Sequence, residues 1–289
     1  MKKTIITCFI LTLLTSCFQQ VRNDAENMIE KEPLEIRHYK SDYTPLKAAN
    51  FVLHLVDTLS QPVKDELTLL YNNMVYVEGG TFLMGDSVTV IADELHTQPM
   101  FKETVGSFYI CKYEVTQRLW ELVMGKADAN FKHPDRPMEN ITWTDGNQFM
   151  QKLKQLTGLP FRYPTEEEWE YAAKGGKYSK HFTYPGANEE NFEDVIFERE
   201  NITDNDREYM TNFVGQLQPN ELGLYDMGGN VWEYCENDYR PAYNRLPDTG
   251  WKTIRGGSYR SDKRRCRPQS RLQWRADKAA SQVGMRLAL

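Results

Sequence analysis

Residues 223–233 read Gly223-Leu224-Tyr225-Asp226-Met227-Gly228-Gly229-Asn230-Val231-Trp232-Glu233. Carboxylates stand on either side of a Gly-Gly corner. A tight turn there aims the side chains of Asp226 and Glu233, and the carbonyls of Gly229 and Val231, toward one point. Hard oxygens gathered in this way suit calcium. A capped turn with solvated acids would use the same residues, and spacing alone does not separate the two.

Upstream lies the clearest helix start, in Arg162-Tyr163-Pro164-Thr165-Glu166-Glu167-Glu168-Trp169-Glu170-Tyr171-Ala172-Ala173. Thr165 and Glu168 make a capping box, acidic residues fill the positive end, and the helix is expected to reach Ala173. Thr116 caps another helix through Trp120 and Val123, ended by Gly125. Thr142 caps a third, with Trp143, Phe149, Met150, Leu153 and Leu156 on one apolar face and Gly158 as its stop. Residues 74–85 read as two short strands joined in a hairpin at Gly79-Gly80. Phe108–Tyr113 reads as a strand in which Cys111 is a small buried apolar residue. Beyond Gly175-Gly176 the chain turns loop-rich. The sum is α+β with long connections.

Downstream, residues 254–267 are strongly basic, and the charge continues through Arg271 and Arg275 to Gly284-Met285-Arg286. Cations around Cys266 would lower its pKa and favour the thiolate. A solvated basic face, or arginines paired with distant acids, accounts for the same composition.

The N-terminus supplies an address. Lys2-Lys3, an apolar run and Leu14-Thr15-Ser16-Cys17 form a lipoprotein signal, with residues 1–16 removed and Cys17 lipidated. Several acyl chains on Cys17 would anchor the protein stably to a membrane. Residues 17–73 are then a lipid-anchored tether and N-terminal extension, with a short amphipathic helix within 63–70. Residues 74–289 form the folded domain. The expected place is the bacterial cell envelope, on the periplasmic side or the cell surface. Cys111, Cys235 and Cys266 then remain, an odd number that leaves at least one thiol unpaired.

Hydrophobic residues at 40% and aromatics at 12% exclude a disordered chain. A net charge of -6 argues against a nucleic-acid partner. There is no phosphate loop, CxxC pair, HExxH or GxSxG, and the histidines are dispersed singly.

From Met74 to the end the chain resembles the formylglycine-generating (sulfatase-modifying factor) enzymes. The resemblance rests on the motifs already quoted at 162–173 and 223–233. It rests equally on Val77-Glu78-Gly79-Gly80-Thr81-Phe82-Leu83-Met84-Gly85, Glu114-Val115-Thr116, Arg255-Gly256-Gly257-Ser258 and Gly284-Met285-Arg286, in that order. It implies the family's variant of the C-type-lectin-like fold, loop-rich with short strands and a few helices. It also implies structural calcium at Asp226, Gly229, Val231 and Glu233, and a second calcium site near Asn191 and Phe192, beyond which residues 193–210 match poorly.

Active members oxidise a substrate cysteine with copper held by two cysteines, whose positions here are Ser261 and Cys266. A serine hydroxyl is a poor ligand for soft copper(I), so copper and oxidase activity are not expected. Ser258 matches a family active-site serine. The leading expectation is an envelope lipoprotein whose domain serves binding or assembly with an envelope protein or peptide, as in gliding or type IX secretion scaffolds. The alternative is an active formylglycine-generating or related oxidase acting on sulfatase-type substrates through an altered site of Cys266, Ser258 and Ser261. A third reading is a glycan or peptide receptor with Trp251, Tyr259 and Trp274 as stacking surfaces.

Overall fold

Three of the four described α-helices start at a side-chain cap. Thr116 accepts from the Leu119 N–H, and Thr142 and Thr165 each close a full capping box, with Asp145 and Glu168 respectively. The computed structural model describes residues 51–86, 97, 99–198, 209–243, 246–247 and 249–289. The expected signal, Cys17 and most of the expected tether lie outside them.

Four α-helices are present among the described residues: α1 (Gln61–Asn72), α2 (Gln117–Met124), α3 (Trp143–Thr157) and α4 (Glu166–Ala173). Gly125 and Gly158 end α2 and α3 in the left-handed conformation. The expected helix at 63–70 lies inside α1. Val63, Leu67 and Leu70 of α1 are buried in the same core as Leu119, Trp120, Phe149 and Leu153, so the residues just before Met74 are part of the folded unit. Trp120 of α2 and Phe149 of α3 stack with ring centroids 4.8 Å apart.

The strands are β1 (Met74–Val77), β2 (Gly80–Met84), β3 (Phe101–Val105), β4 (Phe108–Cys111), β5 (Trp232–Asp238), β6 (Trp251–Arg255), β7 (Arg271–Arg275) and β8 (Val283–Gly284). The hairpin expected at Gly79-Gly80 does not form. β1 pairs antiparallel with β4, and β2 with β3, so the chain changes sheet at that corner. Gly79 packs against the backbone between β3 and β4, where a Cβ would lie 2.4 Å from the Val105 carbonyl oxygen. A third sheet runs β7-β6-β5-β8, with β8 parallel to β5.

The C-terminal residues tie these layers together. Leu289 and Tyr109 exchange backbone hydrogen bonds at 2.9 and 3.2 Å, and Ala288 and Arg162 do so at 2.8 and 3.0 Å. This tail carries Arg286 into the interior.

Candidate functional site

The site is held by buried ion pairs that α4 supplies from one side. Glu166, in its first turn, accepts from Arg255 Nη2 at 2.7 Å and from Arg271 Nε at 2.5 Å. Burial raises the Glu166 carboxyl, but Arg271 and Arg255 outweigh it and hold it below its ordinary value. One turn on, Glu170 accepts from Arg255 Nη2 at 2.9 Å and from Lys174 Nζ at 2.6 Å. Of the acids expected as helix-end charges, Glu166 is the anchor of β6 and β7, while Glu167 accepts from Asn237 and Glu168 from Arg162. Much of the basic C-terminal run is accounted for in this way, with Lys263–Glu189 at 3.0 Å and Arg267–Asp86 at 3.4 Å adding further pairs.

A second buried centre surrounds the quoted stretch. Both Glu233 oxygens accept from Arg286, the shortest contact being 2.7 Å from Nη2, and Oε2 also accepts from Trp169 Nε1 at 2.7 Å. Asp226 stands in the left-handed region at φ 56°, with its Oδ2 accepting from the Gly215 N–H at 2.6 Å. Glu114 accepts from Asn230 Nδ2 at 2.7 Å and from the Val231 N–H at 3.3 Å. Burial, then Asp226 and Glu233, push the Glu114 carboxyl well above its ordinary value. Burial likewise raises Asp226 to about 6, with Glu233 adding to the rise against the Gly215 N–H and Arg286.

By charge this centre fits a cation, since Glu114, Asp226 and Glu233 are all buried around Arg286. The side chains alone do not enclose one. Glu233 is engaged by Arg286 and Trp169, and among the described residues no group of three or more His, Cys, Asp or Glu side chains is gathered for a metal. Carbonyl oxygens of Gly229 and Val231 would have to complete such a site. Asn191 is exposed, and its Oδ1 accepts from the Asn188 N–H at 3.2 Å in its own loop.

The turn after β6 brings Ser258 and Ser261 together. Ser261 Oγ accepts from the Ser258 N–H at 3.0 Å and lies 3.3 Å from Ser258 Oγ. Ser258 is fully buried, whereas Ser261 opens onto a concave pocket of about 310 Å³ formed with Trp232, Arg260, Asp262, Arg265, Leu272 and Gln282. Cys266 is not on that pocket. It is fully buried with Tyr184, Val195 and Ile196, and a Cβ on Gly257 would stand 2.7 Å from its sulfur. Gly257, at φ 78°, therefore needs both its missing side chain and its left-handed freedom.

The activation of Cys266 by neighbouring cations is overturned. Burial, then the carboxylates of Glu198 and Asp262, push the thiol well above its ordinary value. The nearby arginines in sequence face elsewhere in space, Arg264 onto Asp262 and Arg267 onto Asp86. Cys111 and Cys235 are also buried free thiols. Of the aromatics considered as stacking surfaces, Tyr259 is buried with its hydroxyl 3.1 Å from Ser281 Oγ. Trp251 and Trp274 are half-buried on the paired strands β6 and β7.

Some members of the site carry no strong local signal. Leu272 reaches the pocket through the pairing of β7 with β6, and Gln282, just before β8, through its carbonyl, which accepts from the Trp232 N–H. Glu139 is buried, accepts from the Asn130 and Phe131 N–H groups at 2.6 and 2.8 Å, and leaves Oε2 without a partner among the described residues. Burial, opposed by the Phe131 and Asn130 N–H groups, raises it to about 7.

The ionic frame, the Gly-Gly-Ser turn and the terminal arginine together define a domain of the formylglycine-generating-enzyme type, a variant of the C-type-lectin-like fold. The chain belongs to the sulfatase-modifying factor enzyme 1-like domain family, whose match covers residues 60–289. It is 32% identical over 238 residues to the chaperone protein LppX of Paenibacillus barcinonensis, covering 66% of this chain and 80% of that protein. It is 30% identical over 187 residues to the formylglycine-generating enzyme of Streptomyces coelicolor, covering 58% of this chain and 57% of the enzyme. An inactive C-alpha-formylglycine-generating enzyme 2 of Bos taurus is 26% identical, covering 75% of this chain and 69% of the relative. PvdO of Pseudomonas aeruginosa shares the fold with a TM-score of 0.63 at 22% identity, covering 74% of this chain and 93% of that one.

Proposed function

We propose that this chain is a lipid-anchored envelope protein whose domain binds or assembles another protein and has no copper oxidase activity. The observation that carries the reading is a serine at 261 beside a fully buried thiol at Cys266. Ser261, at the first copper-ligand position implied by the family resemblance, is a hydroxyl on the pocket, and Cys266 is a buried thiol off it. Copper(I) is normally held by two thiolates, and a serine in place of one removes most of the affinity. Relatives described as a chaperone and as an inactive enzyme support the same reading.

Titration of the full chain with copper(I) against a competing chelator tests it. No copper is retained at sub-micromolar free metal, whereas tight binding abolished by Cys266→Ala would defeat the reading. The anchor is carried by Cys17, and incorporation of labelled palmitate that disappears in Cys17→Ser supports that part. Among the described residues no helix is long and apolar enough to cross a membrane.

Structural calcium belongs to the same proposal. Asp226 and the carbonyls of Gly229 and Val231 would hold the ion, with Glu114 beside it and Glu233 held by Arg286. A calcium ion there would stabilise the turn that positions Trp232 on the pocket.

A further inference from the structure

Arg136 is a cation held without an anion. It lies in the loop between α2 and α3, where its N–H donates to the His133 carbonyl and its own carbonyl accepts from the Gln117 N–H, both at 3.0 Å. The guanidinium is half-buried, stands 5.1 Å from the Phe213 ring and makes no ion pair among the described residues. Burial lowers its pKa, and no carboxylate opposes the fall. Nη1 donates to Thr211 Oγ1 and Nη2 to the sulfur of Met210, each at 3.3 Å. A thioether is a weak acceptor, so a strong donor is left poorly answered.

That acceptor is one that oxidation improves. Among the described residues Met100, Met124 and Met210 reach solvent, and of these the sulfur of Met210 alone accepts a hydrogen bond from a cation. Met138 and Met285 are buried.

We infer that Met210 is an oxidation site whose sulfoxide is received by Arg136, the oxidant being a hydroperoxide. A sulfur lone pair attacks one peroxide oxygen, the S–O bond forms and the O–O bond breaks. The sulfur loses two electrons, and with hydrogen peroxide the departing hydroxide takes the proton of the transferred oxygen and leaves as water. A sulfoxide commonly disrupts the packing of the apolar side chain it replaces. Here its oxygen meets a guanidinium, and a weak N–H···S contact becomes a charge-assisted N–H···O bond once the flexible arginine draws back slightly. The effect is to fasten residues 210–215 to the loop at 133–136, which already share the bond from the Val214 N–H to the Asp135 carbonyl at 3.0 Å. The same segment gives the Asn212 N–H to Asn230 Oδ1 at 2.9 Å and the Gly215 N–H to Asp226 at 2.6 Å, so its backbone runs from the oxidation site to the buried carboxylates.

The test is hydrogen peroxide treatment of the full chain carrying Met100→Leu and Met124→Leu, with peptide mapping by mass spectrometry and thermal melts before and after. Met210 converts to the sulfoxide while Met138 and Met285 do not. Conversion raises the melting temperature by about 2–4 °C, the shift that about one charge-assisted hydrogen bond gives in a domain of this length. Methionine sulfoxide reductases return it to its starting value. With Arg136→Gln added, the same conversion lowers the melting temperature. Conversion of Met138 or Met285 ahead of Met210, a melting temperature that stays or falls on oxidation, or an equal change in the Arg136→Gln background overturns the inference. Should Arg136→Gln not fold, Met210→Gln, which sets an amide oxygen near the place of the sulfoxide oxygen, decides in its stead: a raised melting temperature supports the inference and a lowered or unchanged one overturns it.

Discussion

Ser261 lines the pocket, while Cys266, five residues on, is fully buried in a separate cluster with Tyr184, Val195 and Ile196. The two positions that would share a metal in an active relative therefore have different surroundings as well as different chemistry. A hydroxyl at the pocket can orient a ligand by hydrogen bonding. A thiol pushed well above its ordinary pKa by burial is neither a ready nucleophile nor a ready metal ligand.

Thiol labelling measures that burial. In the native full chain Cys111, Cys235 and Cys266 stay unmodified by a maleimide over the period in which an exposed thiol is consumed, and all react once denaturant is added. Peptide mapping by mass spectrometry reads each site. Rapid native labelling of Cys266 would mean that the sulfur reaches the pocket.

The pair Glu233–Arg286 is fully buried, so removing one partner leaves a charge without compensation. Arg286→Met costs about 3–5 kcal/mol in urea denaturation, the range for breaking a buried pair from one side. A loss under about 1 kcal/mol would show that Glu233 is neutral or paired elsewhere.

Glu139 gives stability a pH dependence of a stated sign. Its folded carboxyl is raised from 4.5 to about 7, so the unfolded state loses its proton first as pH rises. The contribution is fully present below about 4.5 and is lost on passing through about 7. Glu139→Gln flattens the fall in stability across that window, and an unchanged slope would contradict it. Asp226, raised to about 6, contributes in the same direction and remains in the variant.

Calcium, if held at Asp226, stabilises only the folded state. Excess chelator then lowers the melting temperature, and calcium at 100-fold over its Kd restores about 2.7 kcal/mol. The same melting temperature with and without chelator would remove the ion from the account.

What was legible in the sequence was what is decided locally. Thr116, Thr142 and Thr165 cap the helices because each side chain satisfies its own helix end, and Gly125 and Gly158 stop them for a conformational reason equally local. The Gly79-Gly80 corner was misread because strand partners are chosen across the fold: β1 and β2 each find a strand beyond residue 100. Of the two readings open for the basic run, the thiolate at Cys266 fails for a related cause. Arginines next to it in the chain are drawn off by Asp262 and Asp86, while Glu198 approaches it from another loop. The exchange at Ser261 needed no structure, since it is a matter of which atom stands at a matched position. The pocket did need one, because Trp232, Leu272 and Gln282 meet only when β5, β7 and β8 share a sheet.

The central claim is that the domain binds without oxidising. The direct measurement is incubation of the full chain with copper, oxygen and a sulfatase-type cysteine peptide, followed by mass spectrometry of the peptide. The account predicts an unmodified cysteine, indistinguishable from a Cys266→Ala control. Formation of the aldehyde above that control would contradict it.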